Sequence, residues 1–497
     1  MGVTTSTSAF HLQYPNSSNH HHHHHHPTSN SSIDPIPFSP IPHTTSSNQN
    51  QSQSQSNHPH IDIRSGFLPR LPPIHRIELH PWSQWEEALD QAKGLQLGLG
   101  ESRNAHTATW RKHIREGLPI LSVQADDPLA NQLPLLRRAH LVLAFLVHFY
   151  LHSDQVNDDE EEEGSTKTVL VPSSLALPFC AVSQLLDIPP VLTYSDTVLY
   201  NWTLINPANG FTSENVKILT TFTGTKDEEH FYKTSVLIES LGPMCLSLMR
   251  SLLDEALLAD QLSFARISAN LSLLASIIDQ ITVLLEKVRD DCQPACFYWL
   301  IRPWMNGGTR QMGSDGVVVK WGGPSAGQST LIHSLDVFLG IDHRPRPTEG
   351  HSTSHESTFM ERMAAYMPHH HRNFLQHLSQ TLSPNSHLTI FPQLPNQITH
   401  SVRSLASIAS PDSSLFSAYN QSVQSLLKLR ATHSKIALWY VLSQSRIEPP
   451  LNSPFLKQWE KSRELKKRSV QLGTGGTDLA RFLKRCRERT SEAIIPS

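Results

Sequence analysis

The side chains of this 497-residue chain best placed for chemistry are a few histidines and one arginine set among apolar neighbours. His433 lies in Ser425–Tyr440, with Leu426, Leu429, Ile436, Ala437 and Tyr440 at helical offsets on either side. That spacing puts the imidazole in the middle of an apolar stripe, where it is either a packed core residue or a ligand. A neutral imidazole needs only one or two hydrogen bonds to sit in a core, so spacing alone does not choose. His140 and His148 repeat the pattern on Leu135–Phe149. Arg302 lies in the apolar stretch Trp299–Trp304, where an unpaired charge is costly. Phe231 and Phe297 read equally well as core aromatics on helices. Cys292 and Cys296 fall four residues apart with no second pair, too few ligands for a zinc site.

Six short stretches occur in order around these residues: Ser173–Cys180, Pro189–Trp202, Phe297–Pro303, Ser325–Ser329, Tyr366–Leu375 and Gly473–Asp478. Together they closely resemble the indoleamine 2,3-dioxygenase family of haem enzymes, from about Leu71 to about Arg489. The resemblance implies a cofactor, haem b (heme b), one iron protoporphyrin per chain, with His433 as the proximal iron ligand. Arg430 would lie near a propionate, Asp336 would be the acidic residue on a neighbouring helix, and Ser325–Ser329 would form a lid strand over haem and substrate, with Ser325, Ala326 and Gly327 close to the ligand. Tyr194, Thr197, Phe231, Ser235, Phe297, Arg302, Ser325, Ala326 and Thr474 would contact the substrate, L-tryptophan. Arg302 would clamp its carboxylate, since a guanidinium fork matches one bidentately.

Ser235 stands where the related tryptophan 2,3-dioxygenases use a distal histidine, so no acid or base catalyst is expected. The implied reaction adds both atoms of O2 across the indole C2=C3 bond at ferrous haem, giving N-formylkynurenine on the route towards NAD, with an electron donor to keep the iron ferrous. The chain has Pro324 where the family commonly has glycine, and proline removes a backbone N–H. That change leaves open a haem-binding paralogue of low activity acting as a sensor. A cofactor-free helical interaction protein is the third alternative.

The elements that must position these residues are mostly helices. Apolar positions recur at three- and four-residue intervals through Phe231–Leu241, Leu246–Leu258, Ile267–Lys287 and Cys296–Trp304. Before them come helical patterns at Trp110–Glu116 and Leu135–Leu151, and Ser83 followed by Glu86 has the spacing of a capping box. The expected architecture is mainly α: a disordered tail over 1–70, a small N-terminal domain over 71–222, and a large all-α, haem-binding helical bundle over 223–497. Asn306–Thr330 holds seven of the 22 glycines and reads as a functional loop, a lid, with a short hairpin strand at Val317–Trp321. Gln471–Asp478 lacks the G-K-[ST] ending of a phosphate-binding loop.

Composition removes other classes. With 41 Lys+Arg against 44 Asp+Glu, the net charge of −3 leaves no electrostatic footprint for nucleic acid or an anionic membrane. Five sparse cysteines suit an intracellular, reduced protein. No uninterrupted apolar run approaches the roughly 18 residues of a membrane span. Met1–Ser6 fits a myristoylation pattern without a basic cluster beside it, and His20–His26 is a low-complexity bystander or a tag. Six acidic residues between Asp158 and Glu163 read as a solvated loop. A cytoplasmic monomer is expected.

Overall fold

The computed structural model describes residues 61–154, 169–343 apart from 259, 315 and 317, 359–382, 402–449, 456 and 478–497. The expectations for Met1–Ser6, His20–His26, the acidic loop and Thr474 fall outside these residues.

The chain is mainly helical, as expected. Its helices are α1 (Ser83–Gly94), α2 (Ala105–Lys112), α3 (Leu133–His152), α4 (Ser173–Leu186), α5 (Lys226–Glu239), α6 (Gly242–Leu258), α7 (Gln261–Glu286), the short α8 (Val288–Asp291) and α9 (Pro294–Cys296), α10 (Thr330–Phe338), α11 (Phe359–Ala364), α12 (His369–Leu382), α13 (Val402–Ile408), α14 (Ser414–Ala437) and α15 (Leu479–Ser491). Strand β1 (Val169–Val171) pairs in parallel with β4 (Gly308–Met312), which pairs antiparallel with β5 (Val318–Trp321). The hairpin expected inside the glycine-rich loop is therefore present. A second small ladder joins β2 (Trp202–Leu204) to β3 (Val216–Ile218).

Two long helices form the frame of the site. α7 begins with a capping box in which the Asp260 carboxylate accepts from the Ser263 N–H and the Ser263 hydroxyl accepts from the Asp260 N–H. α14 begins at Ser413, whose hydroxyl accepts from the Phe416 N–H. Their facing stripes, Leu271, Leu274, Ile278 and Ile281 against Tyr419, Val423, Leu426 and Leu429, belong to one buried cluster. Each such side chain contributes roughly 1.5–3 kcal/mol by leaving water, which fixes the register of α14 and the direction of His433. A separate cluster gathers Trp85, Trp110, Phe145, Phe149 and Phe179 from α1 to α4 with Phe222 and Trp304.

Four expectations are corrected. Order begins before Leu71: Phe67 is 1% exposed and meets His371 and Phe374 edge to face. The Ser83–Glu86 capping box does not form, because Glu86 is buried and bonds instead to the Ile77 N–H at 3.0 Å and twice to the Arg138 guanidinium at 2.7 Å. Cys296–Trp304 is not one α-helix but a π-helical turn over Phe297–Ile301 followed by a 3-10 turn over Arg302–Met305. Finally, Leu133–His152, Lys226–Leu258 and Gln261–Asp291 are each long and apolar enough to cross a membrane by length and composition, with 78, 56 and 50% of their apolar windows buried inside the protein. Counting consecutive apolar residues misses them, since single polar residues such as His140 interrupt the run without ending the helix.

Candidate active site

α14 brings His433 to the wall of an internal cavity, together with Ile436 and Ala437. Among the described residues neither ring nitrogen of His433 has a hydrogen-bond partner. Burial, and after it the charge of Arg430, push its pKa below the ordinary imidazole value, so the ring is held neutral with a lone pair to offer. The other two candidates are core histidines. His140 is 1% exposed and bonds the Asp196 carboxylate at 2.7 Å, and His148 is fully buried between the Trp304 carbonyl at 2.6 Å and the Arg310 guanidinium at 3.3 Å.

α5 supplies Phe231, Thr234 and Ser235 to the same cavity. Three π-helical turns also border it: Ser195–Leu199 through Thr197 and Val198, Phe297–Ile301 through Phe297, and Leu438–Ser443 through Tyr440 and Val441. Such widened turns are rare and collect at functional sites, because the extra residue turns side chains off the regular helical track. Phe231 and Phe297 stand 4.7 Å apart between ring centroids at 46°, and Phe297 meets Tyr440 edge to face at 5.7 Å. Arg302 also faces the cavity. Burial lowers its pKa, and the centroid of the Tyr298 ring lies 5.6 Å from the guanidinium carbon.

The glycine-rich segment closes the cavity with Pro324, Ser325, Ala326 and Gly327. Its glycines reflect crowding: a Cβ on Gly323 would stand 1.7 Å from the Met305 carbonyl oxygen. Side chains pin the segment in place of the N–H that Pro324 lacks. Gln328 accepts from the Tyr194 N–H at 2.8 Å and donates to the Gly323 carbonyl at 2.9 Å, and His333 bonds the Gly327 carbonyl at 2.8 Å. Beneath it, the fully buried Glu239 accepts from Ser329 at 2.6 Å and from the Tyr194 phenol at 3.0 Å. Burial raises the Glu239 pKa to about 7, and its second oxygen has no partner.

Of the residues expected at the site, Tyr194, Thr197, Phe231, Ser235, Phe297, Arg302, Ser325, Ala326, Gly327 and His433 share this one cavity. Arg430 and Asp336 do not line it. Arg430 lies one turn before His433 on α14 and bonds Asp336 of α10, which also bonds His343 at 2.8 Å rather than His433. Glu239 was not read from the sequence, and Gln328 and Ser329 were read only as part of the lid stretch, without the partners they bond. An acidic residue inside the apolar run Val236–Leu241, on the face of α5 that carries Phe231 and Ser235, was the available signal for Glu239.

Fold and cavity define a mainly helical protein with an internal chamber on whose wall, among the described residues, stands a single imidazole, that of His433. The sequence profile of the indoleamine 2,3-dioxygenase family matches residues 55–493. The chain is 28% identical to an indoleamine 2,3-dioxygenase of Saccharomyces cerevisiae over 86% of its length and 90% of that protein's. It is 30% identical to indoleamine 2,3-dioxygenase 2 of Homo sapiens over 76% and 83% of the two chains. A 6-hydroxytryptophan 2,3-dioxygenase of Fusarium equiseti is 28% identical over 88% and 98%. The chain thus belongs to the indoleamine 2,3-dioxygenase family, a family of dioxygenase oxidoreductases.

Proposed function

We propose that this chain is a haem-dependent dioxygenase that inserts both atoms of O2 across the indole C2=C3 bond of L-tryptophan and yields N-formyl-L-kynurenine, the entry to the kynurenine route towards NAD. The observation that carries this reading is the His433 imidazole, neutral and without a hydrogen-bond partner among the described residues, facing a largely apolar cavity. A neutral imidazole facing an apolar slot is the donor that haem iron takes.

His433 would hold the iron, and Ser325, Ala326 and Gly327, which line the same cavity, would help to enclose the group. Haem bound there, kept ferrous by an electron donor, supplies activated dioxygen. The chain's own residues do the rest by position. Phe231 and Phe297, at 4.7 Å, offer aromatic surface to a flat indole. Arg302 binds the substrate carboxylate from a buried setting that strengthens the pair. Ser235 is no base at neutral pH, so the protein contributes orientation and the exclusion of water. The reading carries with it a cytoplasmic monomer.

Purified protein is expected to show a Soret band and, under reducing conditions, to convert L-tryptophan into N-formylkynurenine. Comparing turnover of L-tryptophan with that of 6-hydroxytryptophan, which the Fusarium equiseti relative is named for, shows which of the two it prefers. A Soret band without turnover of either would favour the sensor reading, and a protein with neither band nor activity would overturn both.

A further inference from the structure

A second cavity, of about 710 Å³ and larger than the first, lies on the other side of the Ser195–Leu199 turn. Tyr194, Thr197 and Val198 face the His433 chamber, whereas Ser195, Asp196 and Tyr200 face this outer one. One five-residue turn is therefore the partition between two cavities.

The charges lining the outer cavity are already matched, with one exception. Asp62 bonds Arg64 at 2.8 Å and has Arg70 at 3.9 Å, Asp187 bonds Arg372 and His369 at 2.5 Å, and Asp196 bonds His140 at 2.7 Å. Among the described residues Arg137 has no carboxylate partner. Its guanidinium carbon stands 4.5 Å from the centroid of the Tyr200 ring, a stacking that leaves the edge of the fork free. His370 lines the same cavity and makes no hydrogen bond among the described residues, and burial, together with the Arg137 charge, holds it neutral with a pKa of about 3. Leu68, Leu186 and Ile188 supply an apolar wall.

We propose that this outer cavity is a regulatory site for a small organic acid, its carboxylate taken by Arg137 and its apolar or aromatic body laid against Tyr200 and the leucine wall. A carboxylate there supplies the counter-charge that Arg137 lacks, and a planar fork recognises it with both oxygens. An acid seated against Tyr200 loads the turn whose inner side forms the wall of the His433 chamber, so the two cavities are linked through one element with two faces. By reciprocity, whatever the outer ligand does to the inner cavity, the inner ligand does to the outer.

The test uses the full-length protein with phenylacetate as the probe and the neutral phenylacetamide as its control, and needs no catalytic readout, so it stands apart from the dioxygenase reading. Calorimetry is expected to show phenylacetate binding and no binding of phenylacetamide. Arg137→Met keeps an apolar stem against Tyr200 and is expected to weaken phenylacetate at least tenfold, while Arg302→Met in the inner cavity leaves it unchanged. Hydrogen exchange of a peptide covering 193–201 is expected to slow on binding in the wild type and not in Arg137→Met. No binding, equal binding of the amide, loss of binding in Arg302→Met, or full affinity in Arg137→Met overturns the site. Binding with exchange unchanged over 193–201 overturns its regulatory role.

Discussion

One terminal nitrogen of Arg430 donates to both carboxylate oxygens of Asp336, at 2.5 and 2.6 Å, while the other reaches the Thr490 hydroxyl. Arg430 lies three residues before His433 on α14, and its bonds tie that helix to α10 and α15. Arg430 is thereby anchored in a fixed place beside the chamber, and Asp336 acts on His433 through the arginine rather than by touching the ring.

Breaking this pair strands a buried guanidinium. Asp336→Ala is expected to cost about 3–5 kcal/mol in urea unfolding. Burial pushes the Asp336 pKa up, but Arg430 and His343 overcome it and hold it at about 2, against 3.8 as the ordinary value. A depressed carboxylate contributes stability that is present above about pH 4 and lost as pH falls through about 2. Acid titration of the wild type should therefore show a loss of roughly 2 kcal/mol in that window that Asp336→Ala lacks.

His433→Ala is expected to abolish haem retention while far-ultraviolet circular dichroism stays that of the wild type, because α14 is held by Tyr419, Val423, Leu426 and Leu429 and not by the imidazole. Absorbance at the Soret band relative to protein is the measurement. Unchanged haem content in this variant would remove the ligand assignment.

Arg302→Ala is expected to raise KM for L-tryptophan by about a hundredfold, as the loss of a charge-assisted bidentate contact worth roughly 3 kcal/mol predicts, with haem content retained. Steady-state kinetics decide it: a KM within twofold of the wild type would rule out a carboxylate clamp.

Glu239 couples the closing segment to pH. Its folded pKa is raised by burial from 4.5 to about 7, so it favours the fold when protonated. That contribution is complete below about pH 4.5, declines as pH rises through about 7, and amounts to at most roughly 3 kcal/mol. Glu239→Gln keeps a neutral group and is expected to flatten the decline in unfolding free energy between about pH 5 and about pH 8. A decline as steep as that of the wild type would show that another group titrates there.

The sequence by itself determined the helical class, and its short motifs named ten of the residues that line the chamber, while apolar lining such as Val198, Leu285, Met305 and Leu483 was not legible in it. An apolar stripe with a histidine in it is a local pattern, and ordered short motifs survive as words even where no contact is visible. What periodicity could not do was separate His433 from His140 and His148, since all three sit on apolar helix faces. Only the tertiary structure gave two of them partners, Asp196 for one and Trp304 with Arg310 for the other, and left the third facing a cavity. The same holds for Glu86, whose capping spacing was overridden by a guanidinium 52 residues away, and for Glu239, whose partners come from Tyr194 and Ser329. The physical reason is common to all of them: a polar group's role is set by what satisfies its hydrogen bonds once it is buried, and those partners are brought to it by packing from distant parts of the chain.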